Sequence, residues 1–228
     1  MTKIDIISGF LGAGKTTFIK KLLKEAFEGE QVVLIENEFG EIGIDGGFLK
    51  DSGINITEMN SGCICCSLVG DFGTALAEVL EKYAPDRIII EPSGVGKLSD
   101  VIKAVLGVKE KVAEDSVVLN SFTTVADATK CKMYMKNFGE FYNNQVEHAG
   151  TIVLSRTGNM KEDKLQACID LIRTQNAEAS IITTPWDQIN GKQILDAMEK
   201  KNDLVKELLE EEDVCPECGH HHEHGEEC

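Results

Sequence analysis

Two short runs of this chain carry residue types that could do chemistry. Gly9-Phe10-Leu11-Gly12-Ala13-Gly14-Lys15-Thr16 fits G-x-x-x-x-G-K-[ST], the pattern of a loop that cradles phosphate groups. Cys63-Ile64-Cys65-Cys66 puts three thiols within four residues, a trap for a soft metal ion. In the first run, Gly9, Gly12 and Gly14 permit backbone angles and close approaches that a Cβ would block. The N–H groups of Gly12, Ala13, Gly14, Lys15, Thr16 and Thr17 then form an anion nest at a helix N-terminus. Lys15 reaches the β- and γ-phosphates, and the Thr16 hydroxyl is a ligand for Mg²⁺. Further along, Ile88-Ile89-Ile90-Glu91-Pro92-Ser93-Gly94 ends an apolar run on an acid. Glu91 is placed to orient water or the Mg²⁺ shell, and Gly94 to offer its N–H to a γ-phosphate.

In the second run, three thiolates leave one tetrahedral position open for water, for a nearby acid (Glu38 or Glu41) or for a ligand from another protein. Zn²⁺, Ni²⁺ and Co²⁺ all suit such a site. An open position favours transfer over permanent storage. A zinc staple and a buried cysteine turn remain the structural alternatives. The C-terminus adds Cys215, Cys218, His220, His221, His222, His224 and Cys228, a C-x-x-C knuckle followed by imidazoles that can hold at least one more divalent ion. Cys131 and Cys168 stand apart from both groups and read as small core residues.

Strand and helix signals alternate around these runs, which predicts an α/β fold with a mostly parallel sheet and helices on both faces. Strands are expected at 4–7, 31–35, 54–59, 87–91, 117–126, 151–154 and 179–183. Helices are expected after the glycine loop, at 72–83, and at 97–106, 129–138, 162–175 and 191–211. The first strand leads straight into the glycine loop, the setting in which that motif works. Residues 1–202 read as one nucleotide-binding domain and 203–228 as a flexible acidic tail.

Charge narrows the partners. The net charge is −16, and residues 203–228 carry ten acidic side chains against one lysine. That balance argues against nucleic acid and against an anionic membrane surface. No apolar run approaches the ~20 residues of a membrane span, and residues 1–5 lack a secretory core, so a cytoplasmic protein is expected.

With these residues in view the chain resembles the CobW-type GTPases, metal-insertion and metallochaperone proteins related to the hydrogenase- and urease-maturation GTPases. The resemblance covers residues 4–200. It rests on Gly9–Thr16, on Glu36-Asn37-Glu38-Phe39-Gly40-Glu41 with Asp45, on Gly62-Cys63-Ile64-Cys65-Cys66, on Glu91-Pro92-Ser93-Gly94 and on Val125-Ala126-Asp127-Ala128. It implies a P-loop NTPase fold without the further C-terminal domain of many family members. It also implies slow GTP hydrolysis and a nucleotide-facing switch containing Glu38, Glu41 and Asp45. The implied partner is a client apo-metalloprotein, and a nucleotide-dependent homodimer fits the same picture. The family's base-reading motif, [NS]-K-x-D, falls on Ser155-Arg156-Thr157-Gly158, where the aspartate is absent. Its carboxylate would accept hydrogen bonds that guanine donates and adenine does not, a contact worth ~1–3 kcal/mol of discrimination. GTP is therefore implied by the resemblance, with ATP as the alternative. Asn159 or Asp187 could replace the carboxylate, and Arg156 could stack on the base.

The reading favoured is a nucleotide-gated metallochaperone or metal insertase. A metal-buffering protein with a non-catalytic P-loop is the main alternative. A small-molecule kinase would need an arginine-rich lid, and the chain has only Arg87, Arg156 and Arg173.

Overall fold

Ile4 and Ile6 turn to one side of the first strand, Asp5 and Ile7 to the other, and all four are fully buried. The same alternation recurs in the neighbouring strands. Val33, Ile35, Ile88, Ile90, Ile152 and Leu154 join one core layer; Val32, Leu34, Ile89, Val125 and Val153 join the other. A strand buried on both faces needs a cover on each side, which parallel connections through helices supply. The structure, a computed structural model, describes residues 1–36, 55–60, 69–109 and 116–200. Its strands are β1 (Thr2–Ser8), β2 (Gln31–Glu36), β3 (Asn55–Asn60), β4 (Arg87–Glu91), β5 (Val117–Asp127), β6 (Thr151–Ser155) and β7 (Ser180–Ile182). They form one sheet in the order β3-β2-β4-β1-β5-β6-β7, with every pairing parallel.

The helices are α1 (Lys15–Glu25), α2 (Val69–Tyr83), α3 (Leu98–Lys109), α4 (Cys131–Asn137), α5 (Gly139–Glu147), α6 (Glu162–Arg173) and α7 (191–200). Phe18, Ile19, Leu22 and Leu23 of α1 pack with Ile194, Leu195 and Met198 of α7 in one layer. Leu76, Val79, Leu98, Val101, Tyr134, Tyr142, Val146, Cys168 and Ile172 fill the other, so helices do cover both faces. Cys131 and Cys168 are free, buried thiols, as read from the sequence. The hydrogen bond to Cys131, together with burial, pushes the Cys168 thiol up, which keeps it protonated.

One element was not expected. The helix read at 129–138 is α4, and a second short helix, α5, follows it directly. Its buried face is Tyr142, Gln145 and Val146, with an amide in the middle that breaks the apolar signal. Of the helix read at 191–211, residues 191–200 are helical and the rest lie outside the described residues. The same holds for Glu38, Glu41, Asp45, the cysteine cluster at 63–66 and the whole of 203–228.

At the N-terminal ends of the strands, Arg87 is buried and ion-paired with Asp5, which is itself fully buried. Arg87 Nε also reaches Glu30 Oε2 at 2.7 Å and Nη2 reaches Glu199 Oε1 at 3.3 Å, with the guanidinium 4.4 Å over the Phe27 ring. The second Asp5 oxygen accepts from Asn120 Nδ2 at 2.8 Å and Ser121 Oγ at 2.5 Å. A buried charge pair is tolerable only when its remaining hydrogen-bonding capacity is met, and this network meets it. Glu199 thereby fastens α7 to the sheet. Burial works to raise its carboxyl, but bonds from Lys3 and Asn120 and the charges of Lys3 and Arg87 outweigh that and hold it below the ordinary 4.5. A depressed carboxyl contributes stability that is complete above its unfolded value and is lost as pH falls through the folded one. Glu199→Gln should therefore be less stable than wild type at neutral pH. In urea titrations across pH, that deficit should shrink below about pH 4.5 and disappear once both carboxyls are protonated.

Candidate functional site

The glycine loop joins β1 to α1 at the C-terminal edge of the sheet, between strands whose connections run to opposite sides. That crevice is where open parallel sheets bind ligands. Gly14 caps α1 in the left-handed region, at φ 104°, with no side-chain bond to the first turn and no acid within it. In α6, by contrast, Glu162 and Asp163 occupy the first turn. The positive end of α1 is thus left for an external anion. Gly9, at φ 150°, lies so close to β5 that a Cβ there would sit 2.4 Å from the Val125 carbonyl oxygen. These are features of a phosphate cradle.

Three predicted site residues converge beneath it. Lys15 and Glu91 are both buried, with Nζ 3.9 Å from Oε1, and the Thr16 hydroxyl donates to the same Glu91 oxygen at 3.4 Å. A hydroxyl and a carboxylate oxygen side by side make a hard-oxygen set that suits Mg²⁺. Gly94 approaches the loop as closely as its missing side chain allows: a Cβ would stand 2.9 Å from Leu11 N and 2.8 Å from Leu11 Cδ2.

The far wall comes from β5 and β6. Ser155 Oγ donates to Ala13 O at 2.7 Å, tying the end of β6 to the cradle. Arg156, in the left-handed region at φ 60°, extends one guanidinium nitrogen to Asp127 Oδ2 at 2.5 Å and another to Gly12 O at 2.9 Å. The Arg156 side chain, which could stack on the base, is tied through its nitrogens to Asp127 and the loop backbone and remains half exposed. Asp127 is buried, and its other oxygen accepts from Thr129 N and Oγ1. Trp186 donates to Leu154 O at 3.0 Å, and its ring edge closes on Gly14. Thr17, Gly158, Asn159 and Asp187 are exposed around this rim. Trp186 and Gln145 carried no signal in the sequence, because their roles depend on which elements lie side by side. Asp127 was legible only through the family pattern.

The site also gathers the segments that hold the remaining predicted residues. Strand register aligns Glu36, Glu91 and Asn60 at the same edge of the sheet. The chain therefore departs toward Glu38, Glu41 and Asp45 from beside Glu91, and toward Cys63 from one strand further out.

A doubly covered parallel sheet with a P-loop at its C-terminal edge defines a P-loop nucleotide-binding domain. Comparison with known proteins places it more closely. Residues 3–183 match the family model described as CobW/HypB/UreG, nucleotide-binding domain. The chain belongs to this family. It is 33% identical over 247 aligned positions to the zinc chaperone CobW of a Sinorhizobium species, an alignment covering 97% of this chain and 68% of that one. It is 29% identical to the zinc chaperone YeiR of Escherichia coli K12, across 84% of this chain and 57% of the relative. The crystal structure of Zn(II)-bound YjiA GTPase from E. coli superposes with a TM-score of 0.60 at 23% identity, covering 84% of this chain and 62% of that chain; this likeness concerns the fold. Among the described residues no helix is long and apolar enough to cross a membrane.

The close contacts at the glycines rank their tolerance to a methyl group. Gly9→Ala should cost about 3 kcal/mol, since the Val125 carbonyl is backbone and cannot swing aside. Gly158→Ala, whose Cβ would meet nothing nearer than Pro185 Cβ at 3.7 Å, should cost less than about 0.5 kcal/mol. Denaturant midpoints for the two variants test the ranking.

Proposed function

We propose that this chain is the nucleotide-binding part of a metallochaperone GTPase, in which triphosphate occupancy and transition-metal capture at Cys63, Cys65 and Cys66 are energetically linked. The observation that carries the reading is the shared register of Glu36, Asn60 and Glu91. Adjacent strands lie ~4.8 Å apart, so the Asn60 backbone is ~10 Å from that of Glu91. Three further residues, at most ~11 Å of chain, lead to Cys63. The thiols therefore begin within reach of the phosphate edge. The acidic segment holding Glu38, Glu41 and Asp45 enters from the strand between. The zinc-chaperone relatives support the same reading, although YeiR is matched over little more than half its length.

In this scheme the N–H groups of Gly12 to Thr17 bind the β-phosphate side and Lys15 binds the β- and γ-phosphates. Thr16 would hold Mg²⁺, which when bound screens the phosphate charge, and Glu91 would orient either the Mg²⁺ shell or the attacking water. Zn²⁺, Ni²⁺ or Co²⁺ is the cargo, passed to a client apo-metalloprotein. Ordering of the acidic segment against a γ-phosphate would complete or expose the thiol site, and hydrolysis would loosen it. A ligand shifts such an equilibrium only through differential affinity. Zn²⁺ affinity, read by competition with a chromophoric chelator, should differ at least tenfold between GDP and a non-hydrolysable GTP analogue. Cys65→Ser/Cys66→Ser should abolish that difference. Equal affinities in wild type would end the gating idea, and full metal capacity in Lys15→Ala with no hydrolysis in wild type would favour metal buffering.

The base is the second open term. Gly158 occupies the place of the family's base-reading aspartate and has room for a side chain against Pro185. Gly158→Asp should raise the preference for GTP over ATP by at least about fivefold, the lower end of the ~1–3 kcal/mol that such a contact is worth. Competition binding of the two triphosphates measures it. An unchanged ratio would mean that the base is read elsewhere.

A further inference from the structure

Helix α5 touches both segments that frame the phosphates. On one turn Tyr142 packs against Phe10 of the glycine loop, ring centroids 6.0 Å apart, within a cluster that includes Tyr134 at 4.7 Å and Phe138 at 5.0 Å from Phe10. Three residues on, and so on the same face, Gln145 is fully buried. Its side-chain amide donates to Gly94 O at 3.1 Å and to Gly96 O at 2.8 Å. Gly96 N in turn closes the turn onto Ser93 O at 2.8 Å. Neighbouring side chains extend the grip: Asn144 exchanges hydrogen bonds with Ser99 N and Oγ, and Glu140 pairs with Lys97 at 3.0 Å.

The helix that does this is itself held fast. Thr124 Oγ1 donates to Gln145 O at 2.5 Å, fixing it to β5. Asn176 Nδ2 meets the carbonyls of Val146, Glu147 and Ala149 at 2.9, 3.0 and 2.8 Å, satisfying the helix C-terminus. Both amide hydrogens go to the backbone of one turn, while Gln145 Oε1 is buried without a partner among the described residues, so the side chain is set by what it donates to. What it fixes is the position of Gly94 relative to Leu11, where no gap remains.

We propose that Gln145 is a positioning residue for γ-phosphate recognition, and that α5 is the strut that sets the distance between the glycine loop and the Glu91–Gly96 turn. The inference rests on the nucleotide-site reading above. Gln145 touches no phosphate; it acts by holding two carbonyls so that Gly94 stays against the cradle. A diphosphate is held by the cradle alone and should not sense the change. A triphosphate, which also needs the turn, should.

The test compares Gln145→Met, which keeps the volume but cannot donate, with Asn144→Ala, which releases Ser99 from the half-buried side of the same helix. Affinities for Mg²⁺–GDP and for Mg²⁺ with a non-hydrolysable GTP analogue are measured by titration, and kcat and KM for GTP by phosphate release. Gln145→Met should bind GDP within about twofold of wild type, lose at least tenfold in the triphosphate-to-diphosphate affinity ratio, and lose kcat. Asn144→Ala should lower the same ratio by about threefold. A purely structural role would weaken both nucleotides in parallel and lower Tm, leaving the ratio where it was; that result overturns the proposal. If Gln145→Met does not fold, the Asn144→Ala ratio decides alone, an unchanged value again overturning it. Wild type that binds no nucleotide would instead overturn the nucleotide-site reading, and this inference with it.

Discussion

A helix whose N-cap offers no side-chain acceptor leaves its first N–H groups open, and α1, capped by Gly14, begins that way in the middle of the sheet edge. That deficit organises what surrounds it. Gly14 gives up a side chain so that the backbone can turn left-handed into the helix, and the first turn carries no acid that would neutralise its positive end. Lys15 adds a charge of the same sign, and the carboxylate facing it among the described residues, Glu91, stands at the rather long distance of 3.9 Å. The local field is therefore positive and aimed outward, in a chain whose net charge is −16. Backbone donors already turned toward the crevice are what an incoming anion requires.

The walls of the crevice are coupled by side chains that donate to backbone carbonyls. Ser155 binds the carbonyl of Ala13, Arg156 the carbonyl of Gly12, and Trp186 the carbonyl of Leu154. Each contact fixes a peptide plane next to the loop. Arg156 is the clearest case. Its left-handed backbone aims the guanidinium at Asp127 and Gly12 together, so one residue joins β5, β6 and the glycine loop. A lysine could supply the charge but not the fork geometry that reaches two acceptors at once.

Most of the sheet was legible from the sequence, because strands buried on both faces read as continuous apolar runs and the glycine loop states its own chemistry. The strand at 87–91 was found from three isoleucines between two prolines. The ion network of its first residue, Arg87, left no signal, because nothing local says that Asp5, Glu30 and Glu199 converge on it from distant points of the chain. Helix α5 escaped for a related reason. Its inward face contains an amide whose partners, the carbonyls of Gly94 and Gly96, are some fifty residues away in sequence. Pattern reading detects burial of carbon; it has no access to a polar group buried because a distant backbone needs it.

The ion network at Arg87 has a geometric corollary for how the domain is wired. Arg87 and Glu91 are the two ends of β4, ~13 Å apart along the strand. Glu199 is fastened at the Arg87 end, so the polypeptide leaves the last described helix from the pole opposite the nucleotide. The cysteine segment that follows Asn60 sets out from the nucleotide pole. The two thiol-bearing stretches of this molecule thus have their roots at opposite ends of the strands. For the two to share an ion, the fifteen residues from Lys200 to Cys215, which can span up to ~50 Å, would have to run back along the domain.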